Sequence, residues 1–403
     1  MNIVSLRATT PRPSIDELVL RATVIGSFVR DRAERTEVDR QVSSEAVAQM
    51  RDAGLFRIMQ PTMYGGYEYG FDALIRVVGA VAAGCGSSGW VFSLGIVHQW
   101  LMATFPKQAQ DEYWSDPDAI AAGSYAPVGK ALAVDGGYRL SGNWSFTSGC
   151  DHAQWLLLGG MIPPVGEGLP PRPGFFLLPR KDVQIDDNWF TMGLAGTGSK
   201  NSIVTDIFVP TYRVVPFAEL LAGTTPGASI HENPMYRQSM MAALPFALVA
   251  PILGMAQGAL SDFVEMAKVR TTRGAVAGAN NRMAEFATIQ SRVAEATGSI
   301  DAAHLMIFDA LKNALVAAEG GNRANLDLRL RNRLGQAFSV RLLVQAIDAL
   351  FLASGGQGIF TGKPIQRAWR DAHAGAVHVS MNWDAVSTMY GQYALGLEPK
   401  GQY

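Results

Sequence analysis

The stretch Trp144-Ser145-Phe146-Thr147-Ser148-Gly149-Cys150-Asp151-His152, WSFTSGCDH, reads as the end of a strand running into a polar turn. It gathers three hydroxyls, two of them adjacent at Thr147 and Ser148, with a thiol, a carboxylate and an imidazole within a few residues. Three readings compete: a nucleophile, a metal site, or a turn that holds a cofactor. Cys150 and His152 stand two apart with no third group in sight to orient the histidine, which argues against a thiol nucleophile. Thr147 and Ser148 by themselves are accounted for by hydroxyls that close a turn. Asp151 reads as a turn cap or a partner for an arginine.

The surroundings say more. From about 117 to 215, turn signals such as Asp135-Gly136-Gly137 and Ser141-Gly142-Asn143 separate short apolar runs. ALAV, YRL, WLLLGGMI, GFFLLP and SIVTDIFVP are strand-like, and PPVGEGLPPRPG (163–174) is a loop between strands. Residues up to about 115 read as helical. Ser14-Ile15-Asp16-Glu17 opens a helix with a serine cap and an acidic first turn, and Ser43-Ser44-Glu45 opens another that Gly54 ends. The spacing predicts further helices over about 71–84 and 87–104. After about 235 the apolar period is helical again over 281–319 and 327–354, Gly355-Gly356 interrupts it, and a last helix is expected over 364–394. The chain is thus expected to be α+β: a helical domain (1–116), a middle β domain (117–234) and a helical bundle (235–403).

Bulk composition narrows the function. The chain has 403 residues, enough for a large core. Charged residues are only 17%, which points to a surface partly covered by other subunits. A net charge of −1 gives no electrostatic case for nucleic acid or an anionic membrane. Two cysteines, Cys85 and Cys150, make neither a disulfide framework nor a zinc site, so a reduced, cytoplasmic protein is expected. MNIVSLRATTPRPS lacks the apolar core of a secretory signal. The chargeless run Ser239–Ser261 has the length of a membrane span, but Pro245, Pro251 and the amphipathic helices after it make a buried helix the better reading.

Thr147-Ser148-Gly149, the glycine turn Gly355-Gly356-Gln357-Gly358 and Arg370-Asp371 resemble motifs of the acyl-CoA dehydrogenase fold, whose domain order is the one above. The resemblance covers nearly the whole chain and implies a C-terminal four-helix bundle. KQAQDEYW (107–114), YAPVGK (125–130), SGCDHA (148–153), DNW (187–189), GSK (198–200) and RDAH (370–373) resemble one branch of that fold, the two-component, reduced-flavin-dependent monooxygenases. The dehydrogenases themselves need a carboxylate base. One common position for it follows the Arg-Asp pair, but HAGAVHVSMNWD (373–384) carries two histidines, no glutamate and only Asp384. Another lies on the first long helix of the bundle, where Glu265 is the only glutamate of its run.

The resemblance implies a monooxygenase that hydroxylates an aromatic ring, a phenol first, through a C4a-hydroperoxyflavin made from O2 and reduced FMN or FAD. Rivals are N- or S-oxygenation, oxygenation of an indole or polyketide ring, an acyl-CoA dehydrogenase, or a flavin-free scaffold. A separate NAD(P)H:flavin reductase is implied as partner, since no G-x-G-x-x-G follows a strand. A homotetramer is implied as well. Thr147 and Ser148 are expected at N5 and O4 of the ring, with Trp144, Phe146 and Trp189 as aromatic walls. Ser199, Lys200, Arg270 and Arg273 are candidates for the flavin phosphates. His378 is expected beside the substrate phenol as a base, since imidazole titrates near neutral pH. Ser124 and His98 are expected on the substrate side. His373 and His378, five apart on the expected helix, do not share a face as a metal pair would, so no metal site is expected.

Overall fold

The structure is a computed structural model and describes residues 12–164, 169–272, 281–321 and 324–403. The N-terminal part holds α1 (Ile15–Asp31), α2 (Ala33–Asp39), α3 (Ser44–Asp52), α4 (Phe71–Ala82), α5 (Gly86–Met102) and α6 (Lys107–Tyr113). The two serine caps form as expected: Ser14 Oγ accepts Glu17 N at 3.1 Å and Ser43 Oγ accepts Ala46 N at 3.2 Å.

The strands follow: β1 (Ala121–Val134), β2 (Gly137–Thr147), β3 (Trp155–Ile162), β4 (Arg172–Pro179), β5 (Gln184–Asp186), β6 (Lys200–Pro210) and β7 (Val214–Pro216). They form one sheet in the order β5-β6-β2-β1-β3-β4-β7, antiparallel except where β1 meets β3. Alternation along the strands splits the sheet's two faces. Leu157, Phe175, Leu177 and Val215 join the helical core. Leu156, Leu158, Phe176, Leu178 and Trp144 form a second core within the β domain.

The C-terminal part holds α7 (Phe217–Ala222), α8 (Met240–Ala243), α9 (Phe246–Val269), α10 (Ala287–Glu319), α11 (Leu326–Ser354), α12 (Pro364–Ala376) and α13 (Trp383–Ala394). The chargeless run becomes α8 and α9, and 94% of its most apolar window is buried. Helix α9 is the central post, packed by α4, α5, α10, α11 and α12, and its apolar first part, Phe246 to Ala256, is fully buried by them.

One expected element is corrected. The last helix is not continuous over 364–394: α12 ends at Ala376, a short turn spans Val379–Met381, and α13 starts afresh. Side chains stabilise the break. Asn382 Oδ1 accepts Ala385 N at 3.0 Å, and His378 Nδ1 accepts Ser380 N at 3.1 Å. His378 therefore lies outside any helix, and the helical spacing to His373 does not apply.

Candidate active site

The turn after β2 is shaped by a β-bulge. Trp144 pairs with Ser202 and Thr147 with Lys200, so Ser145 and Phe146 together oppose Asn201 alone. Phe146 takes up the extra residue with φ 65°, a left-handed conformation that is rare for an aromatic residue. Strict alternation would put Trp144 and Phe146 on one face. The bulge separates them. Trp144 is fully buried in the β core with its indole N–H donated to Gly159 O at 2.6 Å, which corrects its expected place on a cofactor wall. Phe146 is 67% exposed and meets the edge of Trp189, centroids 5.9 Å apart. Phe190 and Met192, on the same loop as Trp189, are also exposed, and the Arg40 guanidinium lies 4.0 Å over the Phe190 ring.

The hydroxyls on the turn are bonded to side chains behind it. Thr147 Oγ1 accepts from Ser202 Oγ at 2.8 Å. Ser148 Oγ lies 2.6 Å from Ser199 Oγ, which lies 2.6 Å from Thr197 Oγ1, and Thr197 donates to Leu194 O at 2.8 Å. Gly149 has φ 74° and its N–H donates to Thr197 O at 3.0 Å. A Cβ there would stand 2.9 Å from Val91 Cγ1 on α5, so only glycine lets the turn approach that helix. Ser199 is 4% exposed and engaged on both sides, so its expected phosphate contact is corrected: it backs the turn.

Lys200 is corrected too. Its ammonium pairs with Asp151 at 2.9 Å and lies 3.7 Å from Asp187, which Arg40 clamps with both Nη atoms at 2.6 and 2.8 Å. Arg270, by contrast, donates to Ser354 O at 2.8 Å, directly before Gly355 of the glycine turn. Arg273 lies outside the described residues. Cys150 is buried against Gly198 O, and burial, reinforced by the Asp151 charge, pushes its thiol up to about 12. His152 donates Nε2–H to Val42 O at 2.8 Å, and burial lowers its pKa. The pair forms no thiolate–imidazolium couple.

Helix α5 runs behind the turn and carries both a tryptophan and a histidine toward the site. His98 is fully buried; Nδ1–H donates to Ala121 O at 2.6 Å, which leaves Nε2 to accept from Tyr125 Oη at 2.9 Å. Burial drives its pKa down to about 4. With both nitrogens engaged, His98 positions Tyr125, and its expected direct role at the substrate is corrected. Ser124 is nearly buried and donates Oγ–H to Ser145 O at 2.7 Å, bracing the bulge.

One turn into α5, Trp90 stands 6.2 Å, centroid to centroid, from His378. Burial, helped by the Arg333 charge, lowers the His378 pKa to about 4. Its Nδ1 accepts Ser380 N, so the neutral ring carries its proton on Nε2. That geometry corrects the expected base: His378 presents a donor. His373 faces elsewhere, with Nδ1–H donated to Trp369 O at 2.8 Å and Nε2 3.4 Å from Asp348. Neither dehydrogenase-type carboxylate is poised for proton abstraction: Glu265 pairs with Lys268 at 2.6 Å with its side chain 69% exposed, and Asp384 is exposed.

Three residues were not singled out from sequence. Trp90 follows the run Gly86-Ser87-Ser88-Gly89, whose small side chains mark a close helix contact; a Cβ on Gly89 would meet Ala82 Cβ at 2.4 Å. Thr197 carried no signal. Asp371 was visible only as half of the Arg-Asp motif. Its Oδ1 accepts Leu194 N at 2.7 Å, while Arg370 ion-pairs with Glu37. An open hollow of about 580 Å³ between Trp155, Arg180, Lys181 and Arg213 contains none of the turn hydroxyls, Trp90 or His378.

Comparisons with known proteins identify the family and the fold. Residues 20–119 match the acyl-CoA dehydrogenase N-terminal domain and residues 246–383 its C-terminal domain. The chain is 46% identical over 392 residues, 96% of each sequence, to the FADH(2)-dependent resorcinol hydroxylase, oxygenase component, of Rhizobium sp. (strain MTP-10005). It is 39% identical over 370 residues, 92% of this chain and 96% of the relative, to the flavin-dependent monooxygenase oxygenase subunit HsaA of Rhodococcus jostii (strain RHA1). The crystal structure of 3-HSA hydroxylase from Rhodococcus sp. RHA1 superimposes with a TM-score of 0.90 at 37% identity, covering 96% of this chain and 99% of that one.

Proposed function

Because the chain belongs to the flavin-dependent monooxygenase oxygenase components built on the acyl-CoA dehydrogenase fold, we propose that its substrate is a small phenol and that His378 recognises the phenolic oxygen. It is an oxygenase component of a two-component hydroxylase acting on aromatic substrates with reduced flavin. The residues fit that cofactor: exposed Phe146 against Trp189 offers an aromatic wall, and Thr147 and Ser148, the next two residues, offer hydroxyls for the polar edge of the ring. Bound reduced flavin supplies the electrons that activate O2 and delivers the oxygen atom.

The chain's own residues do the rest. Thr147 and Ser148 hold the polar edge of the ring, and Phe146 and Trp189 wall it. Arg270, fixed beside the glycine turn, takes the phosphate. His378 donates Nε2–H to the phenolic oxygen and favours its ionised form, which enriches the ortho carbon in electrons. Trp90 and Tyr125 line the apolar side and keep water out. Tyr125 takes its orientation from His98, and Ser124 keeps the bulge in place.

The observation that carries the phenol reading is the neutral His378 ring, its Nδ1 capped by Ser380 N and its Nε2–H free to donate. Resorcinol is the first substrate to try, since a relative of 46% identity is named for it. FAD is favoured over FMN for the same reason. A separate NAD(P)H:flavin reductase supplies the reduced flavin, and a cytoplasmic location belongs to the same reading. A homotetramer belongs to the same reading, and exposed Leu352, Val377 and Leu395 are apolar area that self-association would cover. The test is a panel of phenols, indoles and sulfur compounds with a generic flavin reductase and either flavin. Hydroxylated phenol is expected. Oxidation of indoles or sulfur compounds with none of phenols would overturn the phenol assignment.

A further inference from the structure

We propose that Thr197 and Ser199 are positioning residues that lock the Ser148 hydroxyl as a hydrogen-bond acceptor toward the flavin ring, and that this lock makes the site select reduced over oxidised flavin. The inference rests on the reading that Ser148 meets the ring.

The direction of the string follows from counting protons. Leu194 O is a carbonyl oxygen and can only accept. Thr197 Oγ1 lies 2.8 Å from it, so the Thr197 proton lies between them; without it two oxygens at that distance would repel. Thr197 has no second proton, so across the 2.6 Å contact Ser199 is the donor. Ser199 is then used in turn, and across the next 2.6 Å contact Ser148 is the donor. The Ser148 proton is thus committed to Ser199 Oγ, and Ser148 Oγ is left to act as an acceptor toward a ligand. The string cannot easily slide, because Leu194 is tied at both ends. Its N–H is held by Asp371 Oδ1 at 2.7 Å, and its carbonyl also accepts Trp189 Nε1 at 3.0 Å.

Thr147 has the opposite polarity. It accepts from Ser202 and retains its own proton to give. The turn therefore offers a donor next to an acceptor. The N5 edge of a reduced flavin has an N–H donor next to the C4 carbonyl acceptor, which matches. An oxidised flavin has two acceptors there, and the one at N5 meets the Ser148 lone pair.

The test is equilibrium titration of the full-length protein with FAD, oxidised in air and reduced anaerobically, read as the ratio of the two dissociation constants. The wild-type protein is expected to favour reduced FAD. Thr197→Val and Ser199→Ala release the Ser148 hydroxyl to rotate, and each is expected to lower the ratio about three- to ten-fold, the net size of one hydrogen bond. Thr197→Ser keeps the donor and is expected to keep the ratio. Ser148→Ala should abolish the preference. If Ser148→Ala changes the ratio while Thr197→Val and Ser199→Ala leave it unchanged, the string has no such role. If Ser148→Ala itself has no effect, Ser148 does not meet the ring, and the reading beneath the inference fails instead. Thermal melting of each variant separates lost folding from lost selectivity, and either of the two string variants suffices if the other is unstable.

Discussion

Asp371 accepts the backbone N–H of Leu194 at 2.7 Å, tying the Arg-Asp pair of the bundle to a loop 177 positions earlier in the chain. Leu194 sits at φ 52°, a conformation that few side chains adopt unaided. The bond holds the loop whose Thr197 and Ser199 lie behind the turn. The carboxylate is fully enclosed, and burial lifts its pKa to about 6, against the pull of the Leu194 N–H and Arg370.

That shift has a sign. The folded protein keeps the Asp371 proton up to about pH 6, whereas the unfolded chain releases it near 3.8, so this group's contribution is largest below pH 3.8 and is lost as pH rises through 6. The cost at neutral pH is on the order of 3 kcal/mol. Asp371→Asn keeps an acceptor and removes the charge. Urea unfolding of parent and variant between pH 4.5 and 8, conditions set at about those values to bracket the window, should show the variant gaining relative stability as pH rises. A constant difference across that range would show that Asp371 does not titrate there.

His378 is expected to act as a donor. His378→Ala should lower turnover about ten- to a hundred-fold, the size of a charge-assisted hydrogen bond, while His378→Gln, which keeps an N–H, should lose less. Its ring is neutral above about pH 4, so no activity limb at the ordinary histidine pKa should disappear with the substitution. A limb near 6.5 that vanishes in His378→Ala would restore the role of base. Stability follows in parallel: the folded pKa of His378, like that of His98, lies below its unfolded value of 6.5, so their contribution is present above 6.5 and lost as pH falls toward 4.

Phe146 carries backbone strain for a side chain that is mostly exposed. A left-handed residue of this kind costs about 1 kcal/mol or more. Phe146→Gly should therefore melt no lower than the parent, while flavin titration shows weaker binding. A large drop in melting temperature would mean that the aromatic contact with Trp189 outweighs the strain.

Cys150 should be inert. It is buried and its thiol is held far above neutral pH, and Cys85 is likewise buried with its pKa raised. A maleimide reagent should label neither in the native protein, and Cys150→Ala should keep full hydroxylation. Inactivation by stoichiometric labelling of Cys150 would refute this.

The bundle face should be covered by further copies of the chain. Leu352 is 76% exposed and Leu395 81%, apolar area that a further copy of the chain would remove from water. Sedimentation should give a mass that is a multiple of 43.3 kDa. Leu352→Asp with Leu395→Asp should shift it toward the monomer; an unchanged mass would remove this face from the interface.

Much of the molecule was legible without coordinates because local rules governed it. Serine caps, glycine stops and the switch from helical to alternating period placed α1, α3, α4 and α5 and strands β3, β4 and β6 to within a few residues, whereas β1 begins ten residues before the expected run ALAV. The site was legible only in part. Trp144 and Phe146 looked equivalent because period-two alternation puts them on one face, and the inserted residue of the bulge has no signature in WSF. The helix break before His378 was hidden because Val377-His378-Val379-Ser380 contains neither glycine nor proline; side-chain caps at His378 and Asn382 produce it.

The sequence by itself determined which groups the turn would offer: two short hydroxyls, a thiol, a carboxylate and an imidazole, set between helices and a β domain. Only the tertiary structure decided what each could do. Burial took Cys150 and His152 out of acid–base chemistry, Asp151 took up Lys200, and a string of oxygens from Leu194 to Ser148 set which way one proton points. The physical reason is that protonation and hydrogen-bond polarity depend on neighbours in space, and here those neighbours come from residues 42, 194–202 and 371, far from the turn in the chain.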